Sequence, residues 1–158
     1  MGAIDAIGAE ATRTVFDVLV CMVWADRKIT DDELAAARAA ALALGLPSAS
    51  TTLDEVVRGG AHTLEMLPLE SLSRRDGDLT YLCAAWMALA DREEAAAERQ
   101  LLVDLRRRLA IDETRASWLR ARARTLREVT PPTVSFWREF DQLVVSAAKA
   151  LARGEDPS

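Results

Sequence analysis

Apolar residues recur along most of this chain at three- and four-residue steps, the period of helices that hide one face. A first helix is predicted over residues 4–26. Its second half, "VFDVLVCMVWA", is apolar nearly all round, which makes it central and buried. The pattern then turns acidic at "ADRKITDDE", and a second helix follows over 31–44. Thr30 is a good N-cap and Glu33, three residues on, makes a capping box. Gly45 ends this helix and Pro47 follows. A short helix near 51–58 stops at Gly59 and Gly60, and residues 61–76 leave room for one more helix around 65–74. Gly77 opens a helix over 78–90, "DLTYLCAAWMALA", the partner of the first buried one. Further helices are predicted over 92–109, over 113–128 behind an Asp112 cap, and from Thr130 to about residue 153 with Pro131 in the first turn. In that last helix Val134, Trp137, Phe140, Leu143, Val144, Ala147 and Leu151 form one apolar stripe. It closes the bundle on one reading and faces a partner or a second copy on the other.

The pattern repeats. With an offset of 65, Ala25-Asp26-Arg27 lies over Ala90-Asp91-Arg92, Glu33 over Glu98, Leu44 over Leu109 and Leu46 over Ile111. Each copy is an apolar helix, an acidic turn, a second helix and a Leu-x-Leu/Ile ending. The fold class that follows is all-α. It is a single-domain bundle of about seven helices with an internal pseudo-two-fold repeat of helical hairpins. The domain spans 1–153, its repeat halves about 12–58 and 78–127, its closing helix about 131–153, and residues 154–158 form a tail expected to fray.

Composition narrows the function classes. The chain has 158 residues, half of them hydrophobic, with few Gly and Pro, which suits one helical domain. A net charge of −5 argues against nucleic-acid binding. The longest apolar stretch, residues 15–25, is about half of the roughly 20 residues a membrane span needs. Residues 1–12 lack the basic start and apolar run of a signal peptide, so a cytoplasmic protein is expected. Arg outnumbers Lys eighteen to two, a hint of a GC-rich bacterial genome.

Two copies of an apolar helix followed by "ADRKITDDE" or "ADREEAAAE", then a helix ending in "LGL" or "LAI", resemble the tellurite-resistance TerB-like family. The same unit fronts membrane-anchored DnaJ-type co-chaperones. The resemblance covers about residues 12–127. It implies an all-helical bundle with two-fold internal symmetry, a divalent cation of the Ca or Mg kind at the two acidic turns, and a role in stress response, phage defence or membrane-associated complexes. Carried over by position, the implied metal ligands are Asp26, Glu33, Asp91 and Glu98. Where the family usually reads Ala-Asp-Gly, this chain has Arg27 and Arg92. Gly permits a positive-φ turn that Arg adopts only at a cost, and a guanidinium can neutralise carboxylates in place of a metal.

The residues by themselves leave two readings of the turns. Hard divalent cations want several carboxylate oxygens, and Asp31 and Asp32 in the first turn and Glu93 and Glu94 in the second add to the four above. Acidic residues in a helix's first turn are equally explained by the helix dipole and by capping boxes at Thr30–Glu33 and Asp91–Glu94. A second candidate surface is arginine-rich: residues 99–127 hold nine Arg against three acids, while residues 1–79 have a net charge of −6. Arg120, Arg124 and Arg127 share a helix face. They suit docking of an acidic protein, a phosphate or an anionic lipid surface; pairing with the acidic half is the structural alternative. His62 is the one histidine, Cys21 and Cys83 sit inside apolar runs as buried hydrophobes, and no phosphate loop occurs, which disfavours an enzyme. The four Trp (24, 86, 118, 137) read as core, with Trp24 and Trp86 near the acidic turns. The expectation is therefore a non-enzymatic module with a protein partner, tuned by a cation at the turns. A metal-binding or metal-sensing protein is the alternative, and peripheral membrane association and a homodimer stay open.

Overall fold

The computed structural model describes residues 2–25, 30–46, 64–90, 96–131 and 133–157. Among these it is all-helical: α1 (Ala3–Ala6), α2 (Thr12–Trp24), α3 (Asp31–Ala43), α4 (Arg74–Ala88), α5 (Ala96–Arg108), α6 (Glu113–Val129) and α7 (Phe136–Ala152). Two 3-10 turns, Leu64–Met66 and Leu69–Ser71, precede α4. No helix among the described residues is long and apolar enough to cross a membrane. The predicted helix near 51–58 lies outside the described residues.

The hub is α4, which packs against α2, α3, α5, α6 and α7. From Gly77 to Ala88 every residue is buried, as a helix surrounded by others requires. The apolar run in α2 packs beside it, as its all-round hydrophobicity predicts. Along α7, Phe140, Leu143, Val144 and Ala147 are buried against the other helices, so the stripe closes the bundle. Trp137, one step off its centre, is 42% exposed.

The repeat is present in the backbone. Helices α3 and α5 end 65 residues apart, at Ala43 and Arg108. Their C-terminal hydrogen bonds are duplicated at the same offset. Leu46 N–H donates to Ala41 O at 3.0 Å and Ile111 N–H to Arg106 O at 3.1 Å; Gly45 and Ala110 donate to Leu42 and Arg107, both at 3.1 Å. This is the Schellman closure, which needs a left-handed residue after the helix. The first copy supplies Gly45 at φ 72° and the second Ala110 at φ 56°. Left-handed backbone strains L-residues by roughly 1–2 kcal/mol, partly offset by the chain entropy that Gly loses on folding. Ala110→Gly is therefore expected to stabilise the protein by about 0.5–1 kcal/mol in chemical denaturation. Gly45→Ala should destabilise it, because it puts a Cβ on left-handed backbone and makes the half-exposed Ile4 side chain turn aside.

Five predicted boundaries move, each for a physical reason. The helix expected over 4–26 is broken: Ile7 is extended (φ −100°, ψ 134°) and buried. Gly8 N–H leaves the helical ladder to donate to Asp76 Oδ1 at 3.3 Å. The helix expected around 65–74 is two 3-10 turns, clamped from α5 by Arg108, whose Nη2 donates to Leu67 O at 3.1 Å and to Glu70 Oε1 at 2.7 Å. Gly77 does not open α4. Ser73 does, accepting Asp76 N–H at 3.1 Å, and Gly77 lies inside the first turn where Leu109 packs over it. The last helix starts at a Ser135 cap, which accepts Arg138 N–H at 3.3 Å. Thr130 instead ends α6, donating its hydroxyl to Leu126 O at 2.6 Å. A proline disfavours helical backbone in the residue before it, and Pro131 precedes Pro132. Finally, the stretch after α7 is held where fraying was expected. Gly154 is left-handed (φ 71°), Glu155 N–H donates to Ala150 O at 3.0 Å, and Asp156 pairs with Arg115. The caps predicted at Thr30, Gly45 and Asp112 stand where the sequence puts them.

Candidate functional site

Of the carboxylates proposed for the acidic turns, Asp26, Asp91, Glu93 and Glu94 lie outside the described residues. Asp31 and Asp32 are exposed in the first turn of α3. Glu33 and Glu98 are each 2% exposed. They are equivalent residues of the two repeats, buried at the base of the two turns. Glu33 N–H donates to the Thr30 hydroxyl at 3.1 Å, and that hydroxyl donates to Glu33 Oε1 at 3.2 Å. Capping thus explains part of the acidity. It does not explain why both Glu side chains leave solvent, a choice that needs charged or hydrogen-bonded partners. Trp24, the last residue of α2, has its indole N–H buried with no acceptor among the described residues.

The arginine face is largely spent inside the molecule. Arg120 donates from Nη1 to the Tyr81 hydroxyl at 2.7 Å, and from Nη2 to Glu113 Oε1 at 2.9 Å and Ser117 Oγ at 3.1 Å. The Arg120 hydrogen bond holds the Glu113 carboxyl below its usual value, whereas burial pushes the Tyr81 hydroxyl up. Arg127 lies over Phe136, its guanidinium 5.2 Å from the ring centroid, and 5.8 Å from that of Trp86. Its Nε is 2.9 Å from Glu139 Oε1 but does not point at it, so the contact is an ion pair without a hydrogen bond. That same oxygen accepts the Trp86 indole N–H at 2.8 Å. Arg124, between them, is exposed.

Arg124, Arg127, Phe136 and Glu139 line a groove of about 850 Å³ between the ends of α4 and α6 and the start of α7. Leu89, Pro131, Val134 and Phe136 give it apolar surface, and Arg124, Glu128 and Asp32 give it charge. Asp32 comes from the first acidic turn and Ala90 from the threshold of the second, so both repeats reach this one concavity. Compared with family models, curated proteins and solved structures, the chain gives no match.

The nucleophile inventory is poor. Cys21 and Cys83 are buried and not joined in a disulfide. Burial, with the Asp17 charge second, pushes the Cys21 thiol up to about 12, and burial alone raises Cys83. Thiols held neutral at ordinary pH are weak nucleophiles. His62 lies outside the described residues.

Sequence reasoning missed Glu139, Asp78 and Arg115. All three are buried charges lying in register with apolar stripes: Glu139 with Phe140 and Leu143, Asp78 with Leu82, Arg115 with Leu119. A charged residue on the core-facing period of a helix was the available signal.

Proposed function

We propose that the protein is a non-enzymatic interaction module that seats a protein partner in the groove beside Arg124. The carrying observation is the groove itself, an apolar floor with a charged rim, the usual anatomy of a protein-binding concavity. The helix ending and Schellman closure duplicated at an offset of 65 support the TerB-like reading, and with it a place in a bacterial stress-response or defence assembly. Since Arg120 and Arg127 have internal partners, Arg124 is the arginine of the three best placed to meet a partner. A photo-cross-linking residue at position 124 should capture a discrete protein in cells, while the same residue at exposed Gln100 should not. Arg124→Glu should abolish that complex and leave stability within about 0.5 kcal/mol of wild type. Identical capture from both positions would sink the proposal.

The buried, repeat-related Glu33 and Glu98 favour a second reading, in which these carboxylates help hold a hard divalent cation and the ion is the main ligand. Bound only by the folded state, the ion would raise the melting temperature. The expected result is a rise in millimolar Ca²⁺, Mg²⁺ or Mn²⁺ that disappears in Asp26→Asn/Asp91→Asn. No shift in any of these ions excludes this reading, and a shift that survives both substitutions places the ion elsewhere.

A further inference from the structure

A second concavity, of about 420 Å³, opens at the other charged cluster of the molecule. Its walls are the first turn of α4, the start of α6 and the end of α7, and it shares no lining residue with the groove beside Arg124. At its base is Arg115, only 6% exposed. One edge of this guanidinium is locked: Nε donates to both Asp78 oxygens at 3.0 Å, and Nη2 donates to Asp78 as well. The other edge, Nη1, faces the pocket and is met there by the Asp156 carboxylate. Asp156 arrives from outside the helical framework, on the hook that Gly154 makes after α7.

Two more guanidiniums line the same pocket, Arg74 and Arg75. Both are exposed, and neither has an ion-pair partner among the described residues. Their position is unfavourable for the helix. They are the first two residues of α4, where the dipole and the free N–H groups favour anions and disfavour cations. A local rule broken twice in a row, beside a buried arginine with an outward edge, marks a site built for an anion. With Asp156 docked, three guanidiniums face two carboxylates; with it gone, they face one.

We propose that this pocket is a carboxylate-binding site, that Asp156 is its internal occupant, and that an acidic segment of a partner protein binds there when the 154–157 hook swings out. A carboxylate is the ligand chemistry the fold itself places there, since the Asp156 carboxylate takes the free edge of Arg115. Competition from the hook lowers the apparent affinity by the fraction of time the pocket is open.

The probe is a synthetic peptide copying residues 151–157, "LARGEDP", titrated into the full chain by calorimetry. Asp156→Ala protein should bind it at least about tenfold more tightly than wild type. Adding Arg74→Gln/Arg75→Gln should remove that gain, while an unchanged melting temperature shows that the fold is intact. The peptide carrying Asn in place of its Asp should bind like buffer. Equal binding to wild type and Asp156→Ala would overturn the proposal, as would a gain that survives loss of both arginines. Tighter binding of inorganic phosphate than of the peptide would reassign the pocket to phosphate ligands and overturn the carboxylate assignment.

Discussion

Arg115→Ala is expected to destabilise the protein by about 3–5 kcal/mol, because it strands the Asp78 carboxylate in the core. The Asp78 side chain is 1% exposed and that of Arg115 is 7% exposed. Asp78 lies on α4, the helix every other long helix touches, and Arg115 is the cation that holds its carboxylate there. The large effect measures an unpaired buried charge and does not equal the net worth of the pair. Asp78→Leu/Arg115→Met, which replaces both members by apolar groups, should therefore recover most of the loss, to within about 1–2 kcal/mol of wild type. Asp156→Ala should cost about 1 kcal/mol or less, since its carboxylate is partly solvated and the Asp78 edge of the guanidinium stays bound. Urea is the denaturant to use, because a guanidinium salt would screen the interaction under test. Equal midpoints for Arg115→Ala and wild type would show that water or a rearranged side chain replaces the guanidinium at Asp78.

The architecture was legible where local chemistry decides it. Thr30, Gly45 and Asp112 act through hydrogen bonds to residues within a turn of themselves, and the 65-residue offset needs no knowledge of tertiary structure. The misplaced boundaries depend on distant groups or on two caps in competition. Nothing near Gly8 announces that Asp76 will take its N–H. Thr130 and Ser135 are both plausible N-caps until the Pro131-Pro132 pair is weighed against the first. The arginine face shows the same division. Spacing alone puts Arg120, Arg124 and Arg127 on one side of α6, yet Tyr81 and Glu139 come from other helices and engage two of the three. The acidic turns were legible as a repeated motif. What the structure adds is the burial of Glu33 and Glu98, which a capping argument does not anticipate.

Opposite exchanges at repeat-equivalent positions should both destabilise the protein. Ala40 on α3 and Leu105 on α5 stand 65 residues apart, and both are fully buried. Their surroundings differ because α7 packs closely on α3 and has no comparable contact with α5. Helix α3 is covered by α2, α4 and α7, and its buried face beyond Glu33 is entirely Ala, which allows close helix approach. Helix α5 packs chiefly on α4, fills that contact with Leu102 and Leu105, and leaves its other side to Asp104 and the Arg106–Arg108 run. Leu105→Ala opens a cavity and should cost about 2–5 kcal/mol. Ala40→Leu forces four-carbon bulk between α3 and its neighbours and should cost about 1–3 kcal/mol. Losses below about 0.5 kcal/mol in both variants would mean that the two hairpins have interchangeable surroundings, and the closing helix would not be what breaks the symmetry. Ala40→Leu carries a second readout. By wedging α3 away from α7 it should disturb Glu139, and with it the indole hydrogen bond of Trp86, so its fluorescence should shift in the folded state. Leu105→Ala, on the helix α7 does not cover, should leave that emission closer to wild type.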